Sequence, residues 1–310
     1  MKYVKLGRTD LMVSQITFGC WQLEGGKWWE LTSDENNIKT IQTAFANGIN
    51  TFDTAEFYGD GHSEAVLGAA LEGVRKDCII ASKVWPTHLK PDDVRRATET
   101  SLNHLKTDYL DIHYIHWPSK EVPVKDTLAV FNRLKEEKII RAIGVSNFSL
   151  DQLKEAMEYA RIDVIQPEYN LLKRYIEDDL LPFCRANQIG VTSYSSVAKG
   201  VLTGAFHFEQ AKLRTDDFRE GRRLFKPEHI AIEAELIYLM KEIADAKGVK
   251  ISQIALSWVL HQSGMTSAIV GTQNAEHLLE NIKSADIELT AEELARLDQT
   301  SAKVIKALED

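Results

Sequence analysis

Along the chain, short apolar runs rich in β-branched residues alternate with longer amphipathic stretches, a rhythm that predicts strands joined by helical crossovers. The runs are "SQITFG" (14–19), "NTFDTA" (50–55), "CIIASKV" (78–84), "LDIHYIHW" (110–117), "RAIGVSN" (141–147), "DVIQPEYN" (163–170), "GVTSYSS" (190–196) and "SAIVG" (267–271), eight in all. The stretches between them have legible ends. Thr32 with Glu35 forms a capping-box pattern and Gly48 stops the helix it opens; Ser149 with Gln152 opens another; Gly248 closes "IAIEAELIYLMKEIADAK". Ahead of the alternation, residues 1–13 predict a hairpin around the polar turn Gly7 to Asp10, and residues 290–310 predict a C-terminal helix.

The landmarks Asp53, Lys83, His116 and Ser146 recur about every thirty residues, the length of one strand-helix unit. Solenoid repeats share that period but show self-similar sequence, which these segments lack. Eight such units without a composition break predict an α/β chain folded as one closed (β/α)8 TIM barrel over residues 1–310. An open doubly wound sheet is disfavoured, because no G-x-G-x-x-G follows the first strand. One connection, 196–229 after strand seven, is long enough to be expected to work on a ligand.

Composition narrows the function classes. With 37 Lys and Arg against 46 Asp and Glu, the 310-residue chain carries a formal charge of −9, which disfavours nucleic acid as its main partner. Cys20, Cys78 and Cys184 are odd in number and far apart, so neither a disulfide framework nor a metal site is expected, and a reducing, cytoplasmic setting fits best. No apolar run approaches the roughly 18 residues of a membrane span, and the first residues have no signal-peptide core.

Working groups in such barrels sit at the C-terminal ends of the strands. Asp53, Lys83 and His116 end consecutive strands, and Tyr58 follows the first of them. A buried carboxylate is costly without a partner, and the ammonium of Lys83 is the partner within reach. The same cation beside the phenol is expected to lower the Tyr58 pKa and make it a proton donor and acceptor, with His116 orienting a carbonyl oxygen.

These residues, with their surroundings, resemble the aldo-keto reductase superfamily over essentially the whole chain, in the bacterial oxidoreductase branch and with similarity to potassium-channel β subunits. The resemblance rests on "FDTAEFYGDGHSEAVLG", "SKV", "YIHWP", "GVSNF", "IQPEYN", "YSSVAKGVLTG" and "IVGTQNAEHLLEN". It implies a nicotinamide-dependent reductase of aldehydes or ketones, with no metal and the tetrad Asp53, Tyr58, Lys83 and His116. By the same resemblance Ser146, Asn147 and Gln166 bind the carboxamide and Tyr194 stacks beneath the nicotinamide. Ser195, Ser196, Val197, Lys199, Gly200, Leu202 and Gly204 wrap the pyrophosphate, and Glu280 with Asn281 reads the adenine. Trp21, Trp85 and Trp117 are expected to wall an apolar pocket, with Trp28 and Trp29 further out, and Cys20 and Trp21 lie near the cofactor.

Two departures stand out. Gly271, Thr272, Gln273 and His277 occupy the place where many relatives put basic residues for the adenosine 2′-phosphate, so NADPH is expected to be preferred with NADH tolerated, helped by Arg214, Arg219, Arg222 or Arg223. Ser196 stands where the family usually has proline. Two other readings remain: a nicotinamide-binding regulatory subunit with slow turnover, and a barrel aldolase using Lys83 as a Schiff-base nucleophile.

Overall fold

A computed structural model describes every residue except Gln210 and Asp310, so those two positions of the expected connection and C-terminal helix lie outside the described residues. Among the described residues ten strands are formed: β1 (Tyr3–Lys5), β2 (Met12–Ser14), β3 (Ile16–Gly19), β4 (Thr51–Asp53), β5 (Ile79–Val84), β6 (Leu110–Ile115), β7 (Ile140–Ser146), β8 (Val164–Gln166), β9 (Gly190–Ser193) and β10 (Ser267–Val270). β3 to β10 close into a parallel barrel in chain order, with β10 pairing back onto β3, and β1 and β2 form a separate antiparallel hairpin. Helices run between successive barrel strands, which is the (β/α)8 arrangement.

The hairpin closes the N-terminal end of the barrel. Leu6, Leu11 and Val13 are buried there against Ile79, Ile112 and Val164, and each such side chain contributes about 1.5–3 kcal/mol by leaving water. Above them Tyr114 fills the barrel interior and its hydroxyl meets Thr192 Oγ1 at 3.2 Å. Gly144 makes room for that ring: a Cβ there would lie 2.3 Å from it. With one end plugged by apolar groups, the strands can expose chemistry only at the other.

Several boundaries differ from the sequence expectation. The helix Asp34–Ala46 is capped by Ser33, whose side chain accepts from the Asn36 amide, not by Thr32; Thr32 instead donates to Asn37 Oδ1 at 2.7 Å. The Ser149/Gln152 capping box does form, and Gly248 ends Pro227–Lys247 with φ +66°. β8 stops at Gln166 because Pro167 has no N–H to continue a ladder, and β9 stops before Ser195, which turns to φ +53°. The connection after β9 is far from structureless. It holds helical turns at Ala198–Thr203, Ala205–Phe208 and Arg223–Phe225, and the helix Pro227–Lys247 begins inside its expected span. Among the described residues, no helix is long and apolar enough to cross a membrane.

Candidate active site

The C-terminal ends of β4 and β5 carry a buried charge pair. Lys83 Nζ, on a residue with no exposed surface, donates to Asp53 Oδ1 at 2.5 Å, to the Thr54 carbonyl at 2.8 Å and to the Tyr58 hydroxyl at 3.3 Å. Gln166 Nε2, from the end of β8, donates to Asp53 Oδ2 at 2.7 Å, so both carboxylate oxygens are matched. From Gln166 the hydrogen bonds continue around the rim. Ser146 Oγ donates to the Gln166 carbonyl at 2.8 Å, Asn147 Nδ2 donates to Ser146 Oγ and the His116 carbonyl at 3.0 Å each, and Tyr194 donates to Asn147 Oδ1 at 2.7 Å. Asn147 holds φ +63°, in the left-handed region that asparagine enters more readily than most non-glycine residues.

Electrostatics correct one expectation. Burial works to lower the Lys83 pKa, but Asp53 and the phenol outweigh it and the net shift is upward, so the amine stays charged. The phenol is not made acidic. Burial raises the Tyr58 pKa and the attraction of Lys83, itself neutralised by Asp53, offsets only part of that. Tyr58 is therefore a phenol at neutral pH, and since Lys83 donates to its oxygen, its own hydrogen is free for another acceptor. His116 is held neutral, its pKa pushed well below the ordinary value by burial and then by Lys83. Its ring stands edge-on to Tyr58 at 5.8 Å and to Trp85 at 5.0 Å between centroids. A permanently charged, triply engaged Lys83 lacks the free amine that the aldolase reading requires.

From this node a cleft of about 1250 Å³ runs outward along β9 and β10. Trp21, Asp53, Tyr58 and Tyr194 line its inner end; Ser195, Ser196, Val197, Lys199, Gly200 and Gly204 line one wall; Gly271, Thr272, His277, Glu280 and Asn281 line the outer end. The wall is built for anions. Ser195, Ala198, Lys199 and Gly200 all have positive φ, at 53°, 49°, 54° and 105°, a backbone that turns successive amides into a concavity. Among the described residues the amides of Ser196 and Val197, and across the cleft those of Gly271 and Thr272, meet no protein acceptor. Gly271 itself must be glycine, since a Cβ would fall 2.1 Å from Gln22 Oε1 and 2.4 Å from the Gly19 carbonyl. The residues present thus fit a long, phosphate-bearing ligand. Ser196, in the usual proline position, uses its hydroxyl to tie the end of β9 to the Ile269 carbonyl of β10 at 3.1 Å.

Other expected residues lie elsewhere. Cys20 is fully buried with its thiol pKa raised well above normal by burial and then Asp53, so it is no nucleophile. Leu202 is packed in the core, and Gln273 spends its amide on the carbonyls of Gln22 and Glu30. Trp85 stacks on Phe57 at 3.8 Å beside His116, whereas Trp117 is 42% exposed and joins none of the ring pairs among the described residues. Of the four arginines only Arg219 lines the cleft. Asp217 holds it through two nitrogens, and it also donates to the Lys199 carbonyl at 3.1 Å. Arg214 reaches the Trp28 carbonyl, and Arg222 lies over Phe218.

Sequence reasoning missed Phe218, which packs on Trp21, Trp28 and Trp29, and Glu168, which engages both Lys173 and Lys199, the latter at 2.6 Å. A lone Phe in a polar loop and a lone Glu after a strand carry no signal by themselves. At the outer end Lys250 and Lys283, unnoticed in the sequence, line the cleft beside Glu280; Lys250 is only loosely paired with it at 3.8 Å.

The fold and its mouth thus combine a parallel barrel, a protonated phenol, a charged lysine and a neutral imidazole at the head of a cleft whose wall suits an anionic ligand. The chain belongs to the aldo/keto reductase family, whose family model matches residues 15–302. It is 33% identical to the NADH-specific methylglyoxal reductase of Escherichia coli over 94% of this chain and 95% of that one. It is 34% identical to the aldo-keto reductase YhdN of Bacillus subtilis, over 90% and 87% respectively. A solved aldo-keto reductase of Klebsiella pneumoniae in complex with NADPH superposes with a TM-score of 0.79 at 30% identity, covering 96% of this chain and 94% of that one.

Proposed function

We propose that the protein reduces small aldehydes or ketones to alcohols with a nicotinamide dinucleotide, NADPH preferred and NADH tolerated, in the cytoplasm. The observation that carries the reading is the direction of the Lys83–Tyr58 hydrogen bond. Lys83 donates a hydrogen bond to the phenol oxygen, which leaves the hydrogen of Tyr58 free to protonate a carbonyl oxygen as it becomes an alkoxide. Asp53 and the Thr54 carbonyl keep the ammonium in place to stabilise the phenolate left behind. Neutral His116 offers a ring nitrogen to orient the carbonyl without adding charge.

A reduced nicotinamide ring, when bound, supplies the hydride. Ser146, Asn147 and Gln166 would hold its carboxamide, and Tyr194 would support its face. The free amides at 196–197 and 271–272 would take the pyrophosphate. Lys250 and Lys283 favour NADPH, because each brings a cation to the end where Gly271 to His277 bring none. The name of the Escherichia coli relative supports tolerance of NADH.

Titration of the purified protein with NADPH and NADH, followed by tryptophan fluorescence, tests this. Trp21 and Trp29 line the cleft, so saturable quenching is expected with both, tighter for NADPH, together with carbonyl-dependent oxidation of the bound form. Binding without turnover over a panel of aldehydes and ketones would favour a regulatory subunit. No binding of either would sink the reading.

A further inference from the structure

Trp29 takes no part in the tetrad or in the phosphate wall, yet it is built into the cleft with care. Its backbone amide and those of Lys27 and Trp28 all donate to the carboxylate of Glu24, at 3.0, 3.0 and 2.7 Å, and Glu24 is only 3% exposed. Glu24 is in turn locked to the loop carrying Tyr58, because a Cβ at Gly59 would lie 2.1 Å from the Glu24 carbonyl oxygen. The indole is packed by Trp21 at 5.3 Å, Phe218 at 4.9 Å and the Arg219 guanidinium at 5.3 Å. Inside this fixed frame its Nε1 is buried and has no hydrogen-bond partner among the described residues. A buried donor without an acceptor is destabilising and calls for an acceptor from outside the chain.

The neighbourhood says what kind. Three nitrogens of Arg219 are already engaged by Asp217 and the Lys199 carbonyl, so the indole N–H is the donor left over in this part of the wall. Two of the side chains packed on the ring, Phe218 and Arg219, belong to the connection that flanks the cleft, and Trp29 itself lines that cleft. Trp21 stands between Trp29 and Tyr58, with its ring 6.3 Å from the phenol ring, so a ligand that touches both the phenol and the indole must extend past Trp21.

We propose that Trp29 is a specificity-determining residue of the carbonyl reduction inferred above, on which this proposal rests. Its Nε1–H donates to a second oxygen of the substrate, a hydroxyl or carbonyl set several bonds from the reacting carbon. The favoured substrates are then oxygenated aldehydes or ketones rather than plain alkanals.

Trp29→Phe tests this by removing the N–H while keeping an aromatic ring, with thermal unfolding as the check that the variant folds. KM is measured for an ω-hydroxyalkanal and for the alkanal of equal length, alongside NADPH and NADH dissociation constants. The expected result is a roughly three- to tenfold rise in KM for the hydroxyalkanal alone, the loss of one hydrogen bond, reversed in part by Trp29→His, which restores a ring donor. Weaker dinucleotide binding with both aldehydes affected alike would give the N–H to the dinucleotide and overturn the substrate assignment. Unchanged KM and unchanged dinucleotide affinity would overturn any ligand role. Wild-type protein that binds neither dinucleotide would overturn the reductase reading first, and that outcome is separate from a failure confined to the variant.

Discussion

Asp53 and Glu233 are both shut away from water, in regions that treat them oppositely. Asp53 at the barrel mouth has both oxygens matched, by Lys83 and by Gln166. Glu233, in the outer helix Pro227–Lys247, has no exposed surface and neither oxygen meets a partner among the described residues. The mouth spends its hydrogen bonds on a charge that serves the phenol next to it; the helix layer merely tolerates an acid, which it keeps protonated. A buried charge marks chemistry where its neighbours are arranged to use it, and the contrast can be tested from both sides.

The largest effect is expected at the mouth. Tyr58→Phe should lower turnover by about 10²- to 10⁴-fold, the usual worth of a positioned proton donor, while the dinucleotide dissociation constant stays near that of the wild type. Because burial holds the phenol protonated, reduction should be flat across neutral pH and fall only as pH climbs through the raised phenol pKa. Alcohol oxidation needs the phenolate and should rise with pH over the same range. A reduction rate that drops near neutrality would restore the acidic phenol that the sequence led us to expect.

Next comes the charge pair itself. Lys83→Met leaves the buried Asp53 Oδ1 without its cation, and should cost about 3–5 kcal/mol of stability in urea unfolding. Adding Asp53→Asn removes the uncompensated charge and should recover a good part of that loss. If the double variant were no more stable than the single one, the pair would be an ordinary packing unit, and the contrast with Glu233 would lose its meaning.

How much of this was legible beforehand follows the same division. Asp53, Lys83 and the barrel could be read because a polar residue ending an apolar strand is visible in one dimension, and the strand period then brings such residues together. The cap at Ser33 was missed because Thr32 and Ser33 are adjacent hydroxyls and only the helix register chooses between them. Phe218 and Arg219 lie in a stretch without periodicity, so their packing onto Trp29 had no signal. The phenol's pKa was misjudged because sequence shows which charges are near but not how deeply a group is buried, and here burial wins. The same blindness hid Glu233, one polar position in an amphipathic helix until its surroundings are known.

Glu233 supplies the smallest and most diagnostic effect. Burial raises its pKa from 4.5 to about 8, with no opposing partner. Between those values the folded chain keeps a proton that the unfolded chain has released, so the penalty is absent near the lower value and grows as pH rises toward the upper. Glu233→Gln keeps the shape and removes the titration. The variant should match the wild type in stability near pH 4.5, to within the change of one polar group for another, and exceed it by a few kcal/mol at pH 8. Turnover should not change, since the residue lies outside the cleft lining. A gap independent of pH would mean that Glu233 is paired, and His207 is the first candidate: its Nε2 lies 3.0 Å from the Ile230 carbonyl one helical turn before Glu233, and its buried Nδ1 also lacks a partner. In that event His207→Phe should open the pH-dependent gap, because it would remove that imidazole.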